Sequence, residues 1–85
     1  MTITATKIRF THKGEEFQLT KDDFVKALKG VQPGRIQKYS VEVNGIDYPI
    51  RQVVALTMRR PTIEFTSHDA YRILQKYGFT IQTEG

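Results

Sequence analysis

The dipeptide Asn44-Gly45 constrains the fold of this chain more than any other feature, because alternating apolar residues flank it on both sides. Asn-Gly is the preferred pair for a two-residue type I′ turn, in which both central residues take positive φ. The pattern therefore predicts a β-hairpin over residues 39–50. The cross-strand pairs that we expect on its buried face are Val43 with Ile46, Val41 with Tyr48, and Tyr39 with Ile50. The residues expected on its outer face are Ser40, Glu42 and Asp47.

Three helices are predicted from capping residues and apolar spacing. Thr20 and Asp23 form the capping-box pattern for a first helix, and Gly30 is placed to end it. The second helix is expected from about Ile50 to Arg59, opening after Pro49. Its expected buried positions are Ile50, Val53, Val54 and Thr57.

The third helix is the most sharply bounded of the three. It is expected to begin at Thr66 or Ser67, where Asp69 completes a second capping box, and to run to about residue 77. Gly78 suits the left-handed residue that follows a helix, and Phe79 can then pack back on Leu74.

Alternating residues also predict a strand over Thr6–Thr11, a return strand around Phe17–Leu19 and a short last strand at 80–83. The expected order is β-β-α-β-β-α-α-β. We therefore predict an α+β fold of winged-helix-like character, with residues 1–85 as a single domain. Its last two helices can form a helix-turn-helix-like pair, although residues 60–65 make a longer connection than usual.

The composition excludes several classes of function. The 85 residues include no cysteine, which removes disulfides, thiol nucleophiles and cysteine-bound zinc. His12 and His68 do not have the spacing of a metal-binding motif. The acidic residues are scattered along the chain. Glu42 and Asp47 face each other across the hairpin, but exposed carboxylates on a strand are usually only solvated and bind no metal. We expect no enzymatic activity, no cofactor and no metal. A cytoplasmic protein is expected, since no apolar run approaches the length of a membrane span and Met1–Ala5 lacks a signal layout.

The charge balance favours a polyanionic partner. The formal net charge is +4, and residues 35–76 hold seven basic and four acidic side chains, or +3. Positive surfaces attract phosphates through charge neutralisation and counterion release. By itself, however, this charge also fits a merely soluble, slightly basic domain.

The polar faces of helices 2 and 3 supply the candidate contacts. His68, Arg72 and Gln75 recur at i, i+4 and i+7 and share an outward face, flanked by Tyr71 and Lys76. Such side chains reach base edges and phosphates, although solubility alone favours the same pattern. The residues expected to contact nucleic acid are Arg51, Gln52, Arg59, Arg60, Thr66, Ser67, His68, Tyr71, Arg72, Gln75 and Lys76.

Residues 39–54, 65–70 and 74–79 follow the pattern V-x-V-x-G-x-x-Y-P-x-K-Q, then F-T-T/S-x-x-A-x-x-x-L-x-x-x-G-F. In this pattern the chain resembles a family of small bacterial domains and the N-terminal, DNA-contacting module of some modification-dependent HNH restriction endonucleases. Ile50 departs from the family, which often has a second proline there, and Arg51 replaces its lysine. The contacts that the resemblance implies are Arg51, Gln52, Thr66, Ser67, His68 and Arg72.

These observations predict a non-catalytic DNA-binding domain, with helix 3 (about residues 67–77) and the basic end of helix 2 on duplex DNA. The sequence contains no HNH segment, so cutting is not expected. The alternative is a protein-interaction module, an accessory subunit that docks on a bacterial or phage protein.

Overall fold

The strands and helices of the computed structural model follow the predicted order, and the structure describes residues 7–36 and 38–83. The elements are β1 (Ile8–His12), β2 (Glu15–Leu19), α1 (Lys21–Ala27), β3 (Tyr39–Val43), β4 (Ile46–Pro49), α2 (Ile50–Met58), α3 (Ser67–Lys76) and β5 (Ile81–Thr83). A 3₁₀ turn, Thr62–Glu64, interrupts the connection between α2 and α3. The α+β class and the element order are confirmed; the first predicted residue of β1, Thr6, lies outside the described residues.

The central hairpin has the turn that its sequence demands. Asn44 and Gly45 take φ values of 56° and 77°, as a type I′ turn requires. In the observed register Val41 pairs with Tyr48 and Val43 pairs with Ile46, and both pairs confirm the prediction. The hairpin is part of the core sheet, whose strand order is β4-β3-β5.

One predicted pair of the hairpin is wrong. Ile50 is the first residue of α2, so it has left the sheet before it can face Tyr39. The partner of Tyr39 is instead Thr83 of β5, which pairs antiparallel with the other edge of β3. The chain thus passes from β4 into α2 without a loop, and the hairpin directly sets where α2 begins.

The two faces of the hairpin also differ from the prediction at two positions. Ile46 is 41% exposed because it follows the turn, at the far end of the hairpin from α2. Ser40, expected on the outer face, is fully buried: β3 is the central strand, and this short side chain lies between Pro49 and Gln82 of the neighbouring strands.

Helix α2 buries more of its surface than the single apolar stripe that the sequence predicts. It packs against both α1 and α3 as well as the sheet, so Ala55 and Met58 join Val53 and Val54 in the core. Thr57, predicted to be buried, is only half-buried, and its hydroxyl donates to the Val53 carbonyl oxygen at 2.8 Å.

The two predicted capping boxes and the predicted end of α3 are confirmed, whereas α1 ends at Ala27, before the predicted stop at Gly30. Capping boxes join Thr20 to Asp23 in α1 and Thr66 to Asp69 in α3. Helix α3 ends with Gly78 at φ 80°, and the Phe79 amide donates to the Leu74 carbonyl at 3.2 Å. This is the Schellman arrangement, in which orphan carbonyls of the last turn gain donors.

The β1–β2 hairpin forms a separate two-stranded sheet that aromatic side chains hold against α3. Phe10 meets the Tyr77 ring edge-on at 6.1 Å between centroids, and the Tyr77 hydroxyl donates to the Ile8 carbonyl at 2.7 Å. Phe17 stacks on Phe10 from the second strand. An isolated hairpin is marginal in water, so these contacts with α3 hold it in place.

No helix within residues 7–36 and 38–83 is long and apolar enough to cross a membrane.

The turn geometry predicts how position 45 responds to substitution. Gly45→Val places a β-branched residue at φ 77° and should lower the free energy of unfolding by more than about 1 kcal/mol. Gly45→Asn is the matched control, since Asn tolerates left-handed backbone. Urea denaturation of both variants is the measurement; equal midpoints for Val, Asn and wild type would contradict the turn assignment.

Burial of Tyr77 predicts a loss of stability at high pH. Burial raises the pKa of Tyr77 to about 12 from an ordinary value of 10.0. The unfolded chain therefore releases this proton first, and stability present below about pH 10 should fall as the pH rises towards 12. Tyr77→Phe should flatten this dependence in denaturation curves recorded across that range. An unchanged slope in the Phe variant would show that other groups cause the loss.

Candidate nucleic-acid interface

The outward face of α3 is arranged as the sequence predicts. His68, Arg72 and Gln75 are exposed, whereas Ala70 and Leu74 on the opposite side are completely buried. The exposed face therefore presents an imidazole, a guanidinium and an amide along a helix of ten residues. These groups can donate to or accept from base edges and can donate to phosphate oxygens.

A first basic cluster, Arg35, Lys38 and Arg51, lies beside the N-terminal end of α3. Its three side chains line a cavity of about 360 Å³ that also reaches Ser67, the first residue of α3. Within the described part of the chain, none of the three forms a salt bridge. The cluster therefore concentrates uncompensated positive charge on one flank of α3.

Arg51 is the most constrained member of the first basic cluster. It is half-buried in the first turn of α2, and its Nη2 donates to the Thr62 carbonyl at 3.3 Å. Its Nε is buried and has no hydrogen-bond partner among the described residues. The 3₁₀ turn thus positions this predicted contact residue, which also lines the cavity.

Gln52 has a structural role that the sequence did not reveal. Its Nε2 donates to the Gln32 carbonyl at 3.0 Å, and its Oε1 accepts from the Gly34 amide at 2.7 Å. Both ends of the side-chain amide are therefore used to fix the irregular connection that precedes β3. Since Arg35 follows directly after Gly34, Gln52 positions the first basic cluster.

A second basic cluster, Arg9, Arg72 and Lys76, lies on the opposite flank of α3. The three side chains line a smaller cavity, of about 220 Å³, between β1 and α3. Arg9 is partly compensated by an exposed salt bridge to Glu16 at 3.5 Å. Arg72 and Lys76 have no such partner within the described residues, so the second cluster also keeps positive charge.

The N-terminus of α3 itself is already occupied by its own capping box. The Thr66 hydroxyl accepts from the Asp69 amide at 3.0 Å, and the Thr66 amide donates to the Asp69 carboxylate at 3.2 Å. The hydrogen bond from the Thr66 backbone is the main cause that lowers the pKa of Asp69, and His12 and His68 add to it. Thr66 is therefore committed to the helix end, whereas Ser67 remains exposed at the cavity.

Neither Arg59 nor Arg60 lines the cavity of either basic cluster. Arg59 ends α2 in left-handed conformation, at φ 58°, near residues of α1, and lies about 12 Å along the helix axis from Arg51. Arg60 is ion-paired with Glu15 and, at 3.9 Å, with Glu64. The predicted basic contacts therefore do not form one cluster; these residues are Arg51, Arg59, Arg60, Arg72 and Lys76.

Tyr71 borders the first basic cluster and does not project freely. Its ring meets Tyr39 edge-on at 5.3 Å, and the Lys38 ammonium lies 5.3 Å from the centroid of the Tyr39 ring. The pair forms an aromatic wall between α3 and the start of β3. Both tyrosines remain partly exposed and can contact a ligand.

Sequence reasoning missed the residues Arg9, Arg35 and Lys38. Arg9 alternates with apolar residues in β1, and nothing in that pattern indicates that β1 lies beside α3. Arg35 and Lys38 fall in an irregular connection without periodicity. Their proximity to Arg51 could have been found only from the sheet order and from the hydrogen bonds of Gln52.

Residues 9–85 match the model of the SCO5918-like family, and the chain belongs to that family. No curated protein and no solved structure has a significant match to the chain. The family match covers the residues whose pattern resembles the N-terminal module of HNH endonucleases. The family is not linked to those endonucleases, so that resemblance stays a prediction. Within residues 7–36 and 38–83, no group of three or more His, Cys, Asp or Glu side chains is placed to hold a metal ion.

The hydrogen bonds of Gln52 predict a specific defect. Gln52→Ala should lower the free energy of unfolding by about 1–3 kcal/mol, because it removes two hydrogen bonds of about 0.5–1.5 kcal/mol each. It should also accelerate hydrogen exchange at the Gly34 amide, which loses its acceptor. Gln75→Ala removes an exposed glutamine from α3 and serves as the control. Unchanged exchange at Gly34 in the Gln52 variant would contradict the positioning role.

Proposed function

We propose that this domain binds duplex DNA without catalysis, with α3 in the major groove. The observation that carries the proposal is the placement of the two basic clusters on opposite flanks of the exposed face of α3. A helix in the major groove has phosphate backbones on both sides, and cations at both flanks match that distribution of negative charge.

The dimensions of α3 support this arrangement. Ten residues give a helix about 15 Å long, and a helix with its side chains is about 10–12 Å across, close to the roughly 12 Å width of the major groove. His68 and Gln75 then face the floor of the groove, where they can reach base edges, and Arg72 lies between this face and the second flank, where it can reach a base or a phosphate.

The helix pair also supports the proposal. Helix α2 packs directly against α3, and the 3₁₀ turn between them orders a connection that is longer than an ordinary helix-turn-helix turn. The winged-helix character remains part of this proposal, with the β1–β2 hairpin beside α3 as the element nearest to a wing. Access to DNA also requires the cytoplasmic location that we propose for this protein.

A second candidate function is docking on a protein partner, and one observation favours it. Ile63, in the 3₁₀ turn, is 87% exposed, and its neighbour Thr62 lines the cavity of the first basic cluster. A single exposed apolar side chain is common on protein surfaces, so this observation weighs less than the two basic clusters.

Substitution of Arg72 tests the proposal. Arg72→Ala should weaken duplex binding without unfolding the domain, since the side chain is exposed. A phosphate contact predicts the same loss on all sequences and a salt slope shallower by about one unit, whereas a bidentate guanine contact predicts about 1–3 kcal/mol lost on the preferred site only. Fluorescence anisotropy at several salt concentrations separates the two.

Lys29→Ala is the matched control, because it removes one exposed positive charge that belongs to neither basic cluster. It should change binding less than Arg72→Ala. Equal losses for the two variants would indicate that net charge alone drives association. If the wild type shows no salt-sensitive binding to any duplex, the DNA proposal fails and docking on a protein partner takes its place.

A further inference from the structure

We infer that the cavity of the first basic cluster is a binding site for one phosphate group, carried by a nucleic-acid backbone or by a free phosphate compound. Where the phosphate belongs to a nucleic-acid backbone, the inference rests on the proposed function. Its structural basis is that three basic side chains, from two arginines and one lysine, line a single cavity.

The charges at this cavity are suited to a phosphate. Arg35, Lys38 and Arg51 all line it, and no Asp or Glu among the described residues does. Guanidinium groups bind phosphate oxygens with paired hydrogen bonds, and an ammonium adds a point charge. Three uncompensated cations in one concavity repel one another, and a bound anion removes that repulsion.

Arg51 supplies a second observation that points to an anion. Its Nε is buried without a hydrogen-bond partner, and a buried donor left without an acceptor costs free energy. The same guanidinium is held by the Thr62 carbonyl through Nη2, so its orientation is set before any ligand arrives. The guanidinium N–H groups that the Thr62 bond leaves free can donate to a phosphate in the cavity that Arg51 lines.

The backbone at the same place adds donors. Helix α2 starts after Pro49 with no side-chain cap, although α1 and α3 both have capping boxes. The first-turn amides of a helix have no intrahelical acceptor and favour an anion. Gln52, in that turn, keeps the chain before Arg35 against α2, so cations and amides stay together.

The shape of the cavity indicates a phosphate ester in preference to a bare ion. About 360 Å³ is at the lower end of the size range of small-molecule pockets and far exceeds one phosphate group. Tyr39 forms part of its wall, and its ring offers an apolar surface for a sugar or base attached to the phosphate.

The test measures phosphate binding and DNA binding in the same variants. Inorganic phosphate titrated into the ¹⁵N-labelled protein should shift the Arg51 Nε–H resonance and the backbone amides of Ile50 and Gln52. Arg51→Gln and Lys38→Gln should each abolish or weaken these shifts, and Lys29→Gln should not. Lys38 is exposed, so its variant keeps the test valid if loss of the Thr62 contact disturbs folding in the Arg51 variant.

The two sources of phosphate are separated by duplex binding. If a backbone phosphate occupies the cavity, Lys38→Gln should make the salt slope of duplex binding shallower by about one unit, and inorganic phosphate should compete with DNA. If phosphate binds but no duplex does, the site stands as one for a free phosphate compound and the DNA proposal fails. If phosphate causes no shift at Arg51 and duplex binding is intact in both variants, the phosphate site is overturned, and any DNA binding then rests on α3 and the second basic cluster alone.

Discussion

The type I′ turn at Asn44-Gly45 is the constraint on which the rest of the structure depends. Two left-handed residues in succession fix the register of β3 against β4, and a shift of one residue would turn every buried side chain of the hairpin outward. The register places Tyr48 in the core, where its hydroxyl donates to the Val31 carbonyl at 2.7 Å. It also fixes where the chain enters α2, because β4 runs into that helix without a loop.

The first basic cluster follows from the same constraint. The chain between α1 and β3 has no regular secondary structure over residues 31–36, and side chains from the hairpin and α2 hold it in place. Tyr48 binds its beginning, and Gln52 binds it at Gln32 and Gly34. Core packing and the surface charge pattern are therefore coupled through two polar side chains, one buried and one half-buried.

Local signals predicted most of the fold, and non-local contacts account for what they missed. Capping boxes, the Asn-Gly turn and the glycine after α3 act within a few residues, so each could be found from the sequence. The pairing of Tyr39 with Thr83 and the approach of Arg9 to α3 join distant segments and leave no periodic signal. At the candidate site, the exposed face of α3 was therefore predictable. The structural roles of Gln52 and Arg60 were not, because their partners lie on other elements.

The central claim is that α3, with a basic cluster on each flank, faces DNA. The most direct test is the change in backbone amide resonances of the ¹⁵N-labelled protein as a short duplex is added at low salt. The account predicts shifts in α3, at Arg9 and at Arg35, Lys38 and Arg51, with α1 left unchanged. Shifts confined to α1 and the turn that follows it, or no shifts anywhere, would contradict it.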